Sequence, residues 1–403
     1  MTESRVVVLG GGIAGCLIAS RLADSGYQVT LVDRNERLMS AASRWNEGKI
    51  HLGFTYTGTS SLDSARLMIE GAGVFESIIE QITGTAIAES WYSDRVVYLV
   101  DPASQFSAEV LWKRANAVAD LLARHAETQT GLRRYLADGP MLRWLKPEAA
   151  AAATGLGRIA AAWETPERAI APGPVAELVR SAVAERNIEV IRAGINAVRR
   201  IGNAWEVDTD AGSLRAAVVA NCTWESRPMI DATQFDRFAP VSIRFKYGLF
   251  GSGLRRLTDK APSTRIIGPF GDITPYGNGQ AYLTWYPAGL AGLSDDGIPP
   301  TPALMDREAL IAETLAGLGV DRSILEEPHA SWEVAGGYIV AHGYGDIVDA
   351  QSPLHDRSCP GARELAPGYV SVDTGKYSLG PLIAQRAVEL ICRRLAGYDG
   401  AAK

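Results

Sequence analysis

At roughly 150 residues per domain, a chain of 403 residues with 47% apolar side chains has room for two or three domains with sizeable cores. Its 40 basic and 46 acidic residues give a formal charge of −6, which argues against a nucleic-acid-binding surface, since that needs a basic excess. Cys16, Cys222, Cys359 and Cys392 lie far apart and form no CxxC, which argues against a disulfide framework or a structural zinc site and for a reducing compartment.

The first element is the β-branched run Arg5 to Leu9, of the kind found in buried parallel strands. Gly10, Gly11, Gly12, Ile13, Ala14 and Gly15 follow, a match to GxGxxG. Cys16 to Ser25 carries apolar residues at helical spacing, Gly26 ends that helix, and Gln28 to Val32 is a second strand closing on Asp33. Each part has a physical job in holding a dinucleotide. Gly10 permits the tight turn, Gly12 lets the backbone approach a pyrophosphate, and Gly15 allows the helix to pack closely on the strand. Amides at the helix N-terminus face the phosphate charge, and Asp33 accepts from ribose hydroxyls. The uncharged stretch Val6 to Ser20 is not read as a signal peptide, because it is glycine-rich, follows a single basic side chain and precedes no small-residue cleavage site. It is also too short for a membrane span, no other stretch approaches 18 apolar residues, and a cytoplasmic protein is expected.

Further along, Arg95 to Val100 reads as a strand and Leu111 to His125 as a helix. Ala171 to Glu185 reads as a helix with proline near its start. Strands are expected at 189–200, 204–209, 216–220, 241–250, 264–268 and 280–286, and a helix over 303–320.

Residues 6–34 resemble the N-terminal pattern of flavoprotein oxidoreductases, down to Ala19, Leu22, Gly26, Val29, Leu31 and the pair Asp33-Arg34. Ser43, Arg44, Asn46, Gly48, Lys49, Ile50, His51 and Gly53 form a second segment, S-x-x-N-x-G-x-I-H-x-G. It resembles the second cofactor segment of the D-amino-acid oxidase-like (DAO) superfamily, most closely its 2-hydroxyglutarate oxidase and glycerol-3-phosphate dehydrogenase branches. Leu214 to Thr223 and Tyr369 to Gly380 resemble the family's later cofactor elements, the second preceding a helix from Pro381 to Leu395. The resemblance implies FAD as cofactor. It implies an α/β fold, with a Rossmann-like FAD-binding domain (1–84, 155–228 and 330–403) interleaved with an α+β substrate domain (85–154 and 229–329) on a largely antiparallel sheet. By the same resemblance, Ile195, Thr223 and the loop Gly375, Lys376, Tyr377, Ser378 and Leu379 join the cofactor set. Rival flavoprotein classes lack their marks here: a second GxGxxG with a redox cysteine pair, WxWxIP, or RxGGR after the second strand. Gly271-Asp272 stands in a different context from the Gly-Asp motif of aromatic hydroxylases.

The implied activity is oxidation of a C–N or C–O bond in a small to medium molecule, with hydride passing to flavin N5 and oxygen or another acceptor restoring the flavin. A flavin monooxygenase or tailoring enzyme, and a nucleotide-binding protein without turnover, are the alternatives. His51 is the first catalytic candidate: a neutral imidazole takes a hydroxyl proton, or else the ring only orients the loop. Lysine is scarce, 7 against 33 arginines, so each one is scrutinised. Lys376 is a cation for the reduced flavin or for oxygen reduction, or else a solvent-facing turn residue. Lys49 contacts phosphate or is exposed. Alternation puts Arg244 and Lys246 on one strand face, as a substrate-anion clamp or a charged face in solvent. Tyr282, Trp285 and Tyr286 line a pocket or fill core. Tyr338 stands where many amino-acid-oxidising members carry a carboxylate-binding arginine, which leaves Arg44, Arg244, Arg265 or Arg357 for that task, or a substrate without a carboxylate. His342, Asp346, His355 and Asp356 have turn-former spacing and no metal-site pattern. Covalent flavin attachment has two candidate positions, Cys359 and His51. The oligomeric state leaves no signature.

Overall fold

The computed structural model describes residues 5–137, 139–236, 240–268 and 270–401. Its first strand, β1 (Arg5–Leu9), lies inside a six-stranded sheet, flanked by the strand Val218–Asn221 and by β2 (Gln28–Asp33). Ile188–Arg192 extends the sheet beyond β2, and Tyr369–Asp373 extends it beyond Val218–Asn221. These five strands are parallel, and Gly361–Ala366 closes the far edge antiparallel. Val6 to Leu9 are fully buried, as a strand covered on both faces requires.

Helix α1 (Ile13–Asp24) packs against the helices Pro172–Ala184, Asp63–Thr83 and Gly380–Ala401. Asp63–Thr83 is absent from the strands and helices read from sequence, although Ala65, Met68, Ala72, Phe75, Ile79 and Ile82 repeat at helical spacing and are buried.

A second sheet has nine strands and is largely antiparallel. Val241–Ser252 pairs with Leu290–Ser294, Gln280–Trp285 and Ser331–His342. The order continues through Gly271–Pro275, Ser263–Ile266, Val97–Val100, Ala161–Glu164 and Arg143–Leu145. Ala161–Glu164 and Ser331–His342 belong to this sheet, although they fall past the division points expected at 155 and 330.

Two single-strand expectations divide in two. The run 189–200 breaks at Ala193-Gly194, where the Gly194 amide donates to Asp210 Oδ2 at 3.1 Å. The chain there leaves the parallel sheet and enters a three-stranded antiparallel one through Ile195–Ile201. Residues around 216–220 likewise split into Gly212–Ala216 and Val218–Asn221.

A Cβ at Gly15 would lie 1.8 Å from the Gly10 carbonyl oxygen, so α1 can sit this close to β1 only with glycine there. Gly15→Ala forces the helix outward. The expected cost is about 1–3 kcal/mol, the usual range for overpacking, read as a lower midpoint of thermal or urea unfolding. An unchanged midpoint would contradict the contact.

Candidate functional site

One cavity of about 530 Å³ runs from the glycine turn after β1 to the second sheet. At its first end stand Gly10, Gly12, Ile13 and Ala14, with Asp33 and Arg34 from the end of β2. Helix α1 has Gly12 as its N-cap, a residue with no side chain to cap it, and no acid in its first turn, which leaves the positive end of the helix dipole facing the cavity. The Ile13 amide donates to Ser43 Oγ at 2.9 Å, so the second segment is tied to the helix start. Asp33 Oδ2 accepts from the Gly11 amide at 2.6 Å. Its Oδ1 accepts from the amide and Nδ2 of Asn35 at 2.7 and 2.9 Å. Three acceptor positions of the carboxylate are thereby used within the turn, which leaves capacity for one further donor.

Asn46, Lys49, His51, Ile195, Thr223, Gly375, Lys376 and Tyr377 also border the cavity. Asn46 shapes its own loop: Nδ2 donates to the Ala42 carbonyl at 2.9 Å and Oδ1 accepts from the Gly48 amide at 2.7 Å. Five residues read as cofactor-binding do not border it. Gly15 serves helix packing. Arg44 stacks over Trp45, 4.4 Å from the ring centroid, with its guanidinium against Gly173. Gly48 takes φ +62° and passes so close to the Ile170 carbonyl that a Cβ would meet it at 1.9 Å. Ser378 and Leu379 are buried in the core below the loop.

The short ladder Lys49–Ile50 against Arg168–Ala169 places the middle of the cavity. Lys49 is opposite Ala169 and Ile50 opposite Arg168, so His51 and Glu167 come next to each other. His51 Nδ1 lies 3.1 Å from Glu167 Oε1, and Nε2 lies 3.8 Å from Glu47 Oε1. Burial pushes the His51 pKa down, but Glu167 and Glu47 outweigh it and hold the imidazole above its ordinary value. That environment favours the protonated ring, whereas the base role, one of the two sequence readings of His51, uses the neutral one. Lys49 is 3% exposed, and its ammonium is bonded to Asp272 and Thr264, so it is not a surface lysine. Lys376 is half-buried; burial is the main cause of its lowered pKa of about 8, which Arg357 and Lys246 push down further and Glu47 opposes.

At the far end, Arg244 and Lys246 both face the cavity, with Tyr282 and Tyr286 beside them. Arg244 is 2% exposed, so the solvent-facing alternative does not hold. Its Nη1 donates to the Tyr286 hydroxyl at 2.9 Å. Arg357 is buried and donates to the carbonyls of Leu354 and Asp356 at 2.6 and 2.8 Å. Among the described residues neither arginine has an ion-pair partner, and the Nε of each is buried without a hydrogen bond. Arg265 differs, since it is paired with Asp101 at 3.0 Å. Tyr338 borders the cavity, with its hydroxyl donating to the Pro300 carbonyl at 2.9 Å. Trp285 stands outside the lining, stacked near Phe270. His342 pairs with Asp373 at 2.8 Å, His355 with the Asp349 carbonyl, and Asp356 with Ser64 and Ser358. Cys359 is exposed and outside the lining.

Glu47, Glu167 and Asp272 were not singled out from sequence. Glu47 sat unremarked inside the second segment. Glu167 reaches the site by strand pairing across more than a hundred residues, and Asp272 by the packing of the second sheet against Lys49.

The residues present fit an FAD. The helix start suits a pyrophosphate, Asp33 suits a ribose, and the buried hydroxyls of Tyr56 and Tyr377, both at the cavity, have no hydrogen-bond partner among the described residues. No helix of the described residues is long and apolar enough to cross a membrane.

Among solved structures, the chain is similar to glycine oxidase from Geobacillus kaustophilus, with TM-score 0.65, 16% identity and coverage of 97% of this chain and 95% of that one. It is similar to iminodiacetate oxidase from Chelativorans sp. BNC1, with TM-score 0.67, 15% identity and coverage of 96% and 95%. It is also similar to L-α-glycerophosphate oxidase from Mycoplasma pneumoniae, a structure with FAD bound, with TM-score 0.66, 14% identity and coverage of 97% and 95%. At these identities the likeness is one of fold. Curated relatives match over short stretches only. The bifunctional tRNA 5-methylaminomethyl-2-thiouridine biosynthesis protein MnmC of Burkholderia orbicola is 45% identical over 51 residues, 13% of this chain and 8% of the relative. Its Pseudomonas aeruginosa PAO1 counterpart is 37% identical over 76 residues, 19% of this chain and 11% of the relative. The family described as FAD dependent oxidoreductase (DAO) matches residues 5–244, more than half the chain, and this protein belongs to that family.

Proposed function

We propose that this enzyme oxidises the C–N bond of a small amine that carries a carboxylate or similar anion. The observation that carries the reading is the pair of buried arginines, Arg244 and Arg357, at the end of the cavity remote from the glycine turn. A buried guanidinium with no direct ion pair is costly, and a substrate anion supplies that partner. Arg244 offers a planar fork whose orientation Tyr286 holds. An arginine on Val241–Ser252 then does the work that Tyr338, on the neighbouring strand, cannot do. Glycine oxidase and iminodiacetate oxidase, both similar in fold, are named for substrates that unite an amine with a carboxylate.

When bound, FAD supplies the hydride acceptor at N5. The chain's own contribution is placement and charge. The glycine turn and the start of α1 receive the pyrophosphate, Asp33 the ribose, and Ile195 and Thr223 the walls around them. Gly375, Lys376 and Tyr377 close the site from the C-terminal side, where Lys376 brings a positive charge toward the flavin. Oxygen is the proposed acceptor.

Anaerobic mixing of the flavin-loaded enzyme with amino acids, N-substituted amino acids and hydroxy acids tests the reading. Loss of flavin absorbance with an anionic amine is the expected result. Bleaching by hydroxy acids alone would move the reaction to a C–O bond. Arg244→Met removes one partner of a buried charge contact worth about 2–5 kcal/mol, so KM for the anionic substrate should rise on the order of 100-fold, with kcat changing less.

Lys376 has a pH signature. Its lowered pKa of about 8 makes it a cation below that pH and neutral above it. Any attraction it gives an anion is complete well below pH 8 and is lost as pH rises through 8. Apparent substrate affinity in the native enzyme should break near that value, and the break should vanish in Lys376→Gln.

A further inference from the structure

We infer that Glu167 is the positioning residue of His51, fixing a proton on Nδ1 and presenting Nε2–H toward Glu47 and the cavity, so that His51 serves as a fixed cation and not as a base. The inference deepens the reading of the site given above and rests on it for its catalytic meaning, while its geometry stands independently.

Glu167 is fully buried and receives three donors. His51 Nδ1 lies 3.1 Å and the Tyr98 hydroxyl 2.7 Å from its Oε1, and the Leu52 amide donates to Oε2 at 2.8 Å. A carboxylate with three donors stays ionised despite its burial, and its pKa is lowered accordingly. An ionised carboxylate only accepts, so the ring nitrogen facing it must carry a proton. Glu47 stands on the opposite side of the ring, 3.8 Å from Nε2, also with its pKa depressed. The hydrogen bond to Glu167 places a proton on Nδ1, and the second carboxylate, 3.8 Å from Nε2, favours the imidazolium over the neutral ring by its charge.

The other charged and titratable groups around the ring keep this arrangement in place. Lys376 opposes the imidazolium charge from the C-terminal loop, and together with Lys246 and Lys49 it holds Glu47 ionised. Tyr56 stacks edge-on with its ring centroid 6.4 Å away, and burial keeps its hydroxyl protonated. Tyr98 is kept neutral by burial and by Glu167. Glu167 thus transmits a constraint from the second sheet, through Tyr98 on Val97–Val100, to a histidine in the cofactor segment.

Side-chain nitrogen NMR of the histidine-labelled, flavin-loaded protein tests this without any substrate. The His51 signals are assigned by their loss in His51→Asn. The expected result is an imidazolium that titrates above the ordinary histidine value of about 6.5, with the proton of the neutral form on Nδ1. In Glu167→Gln the midpoint should fall by at least one pH unit, a tenfold change in proton affinity, and the same step should move in the pH profile of flavin reduction. An unchanged midpoint in that variant, or a neutral native form protonated on Nε2, would overturn the assignment. The tautomer in the native protein decides the matter even if Glu167→Gln does not fold. If no amine reduces the flavin but the His51 titration behaves as described, the substrate reading fails and the role of Glu167 stands.

Discussion

The close approach of helix α1 to the turn after β1 sets the cofactor end of the site. Helix α1 can start where it does only because nothing projects from Gly15 toward the Gly10 carbonyl. Gly10 itself, at φ +93°, lies against the Cys222 carbonyl, where a Cβ would be 2.6 Å away. Two glycines thus let β1 be pressed between a helix and a neighbouring strand at backbone distance. That compression aims the helix start into the cavity and brings Ser43 and Thr223 to its rim. A dinucleotide site needs backbone amides at the surface of a tightly packed layer, and side chains at these positions would hold the layers apart.

The middle of the cavity follows a different rule, the cost of burying charge. Lys49 with Asp272, His51 with Glu167, and Glu47 with the surrounding cations form an alternating cluster in which each charge has an opposite neighbour. Such groups persist in an interior because each is paired and hydrogen-bonded. Arg244 and Arg357, in the same cavity, are hydrogen-bonded but have no ion-pair partner among the described residues. The contrast between an ion-paired centre and an end whose arginines have no direct ion pair separates the middle of the cavity from the proposed substrate side.

Much of the cofactor region was legible in the sequence because its parts are neighbours along the chain. Arg5 to Asp33 is one strand–turn–helix–strand unit whose glycine spacing, helical period and closing acid are all local. The second segment was legible through resemblance, although Arg44 and Gly48 shape its loop and do not face the cavity. The helix Asp63–Thr83 was missed although its period is present. The long strand Ser331–His342 was hidden by Ala335-Gly336-Gly337, a stretch with little intrinsic strand preference that is held by pairing with Val241–Ser252. The break at Gly194 depended on Asp210, sixteen residues on.

By itself the sequence determined the dinucleotide turn, the parallel strand it leaves and the family, because these rest on backbone conformations that particular residues permit and on periods that local spacing displays. Only the tertiary structure decided which charges meet. Glu167 reached His51 through a strand register that joins segments more than a hundred residues apart, and Asp272 reached Lys49 by a side-chain contact between two different sheets. The same folding buried Arg244, which alternation alone left free to face solvent. Burial and pairing set the protonation of ionisable groups, and both are properties of the assembled sheets that no single stretch of chain contains.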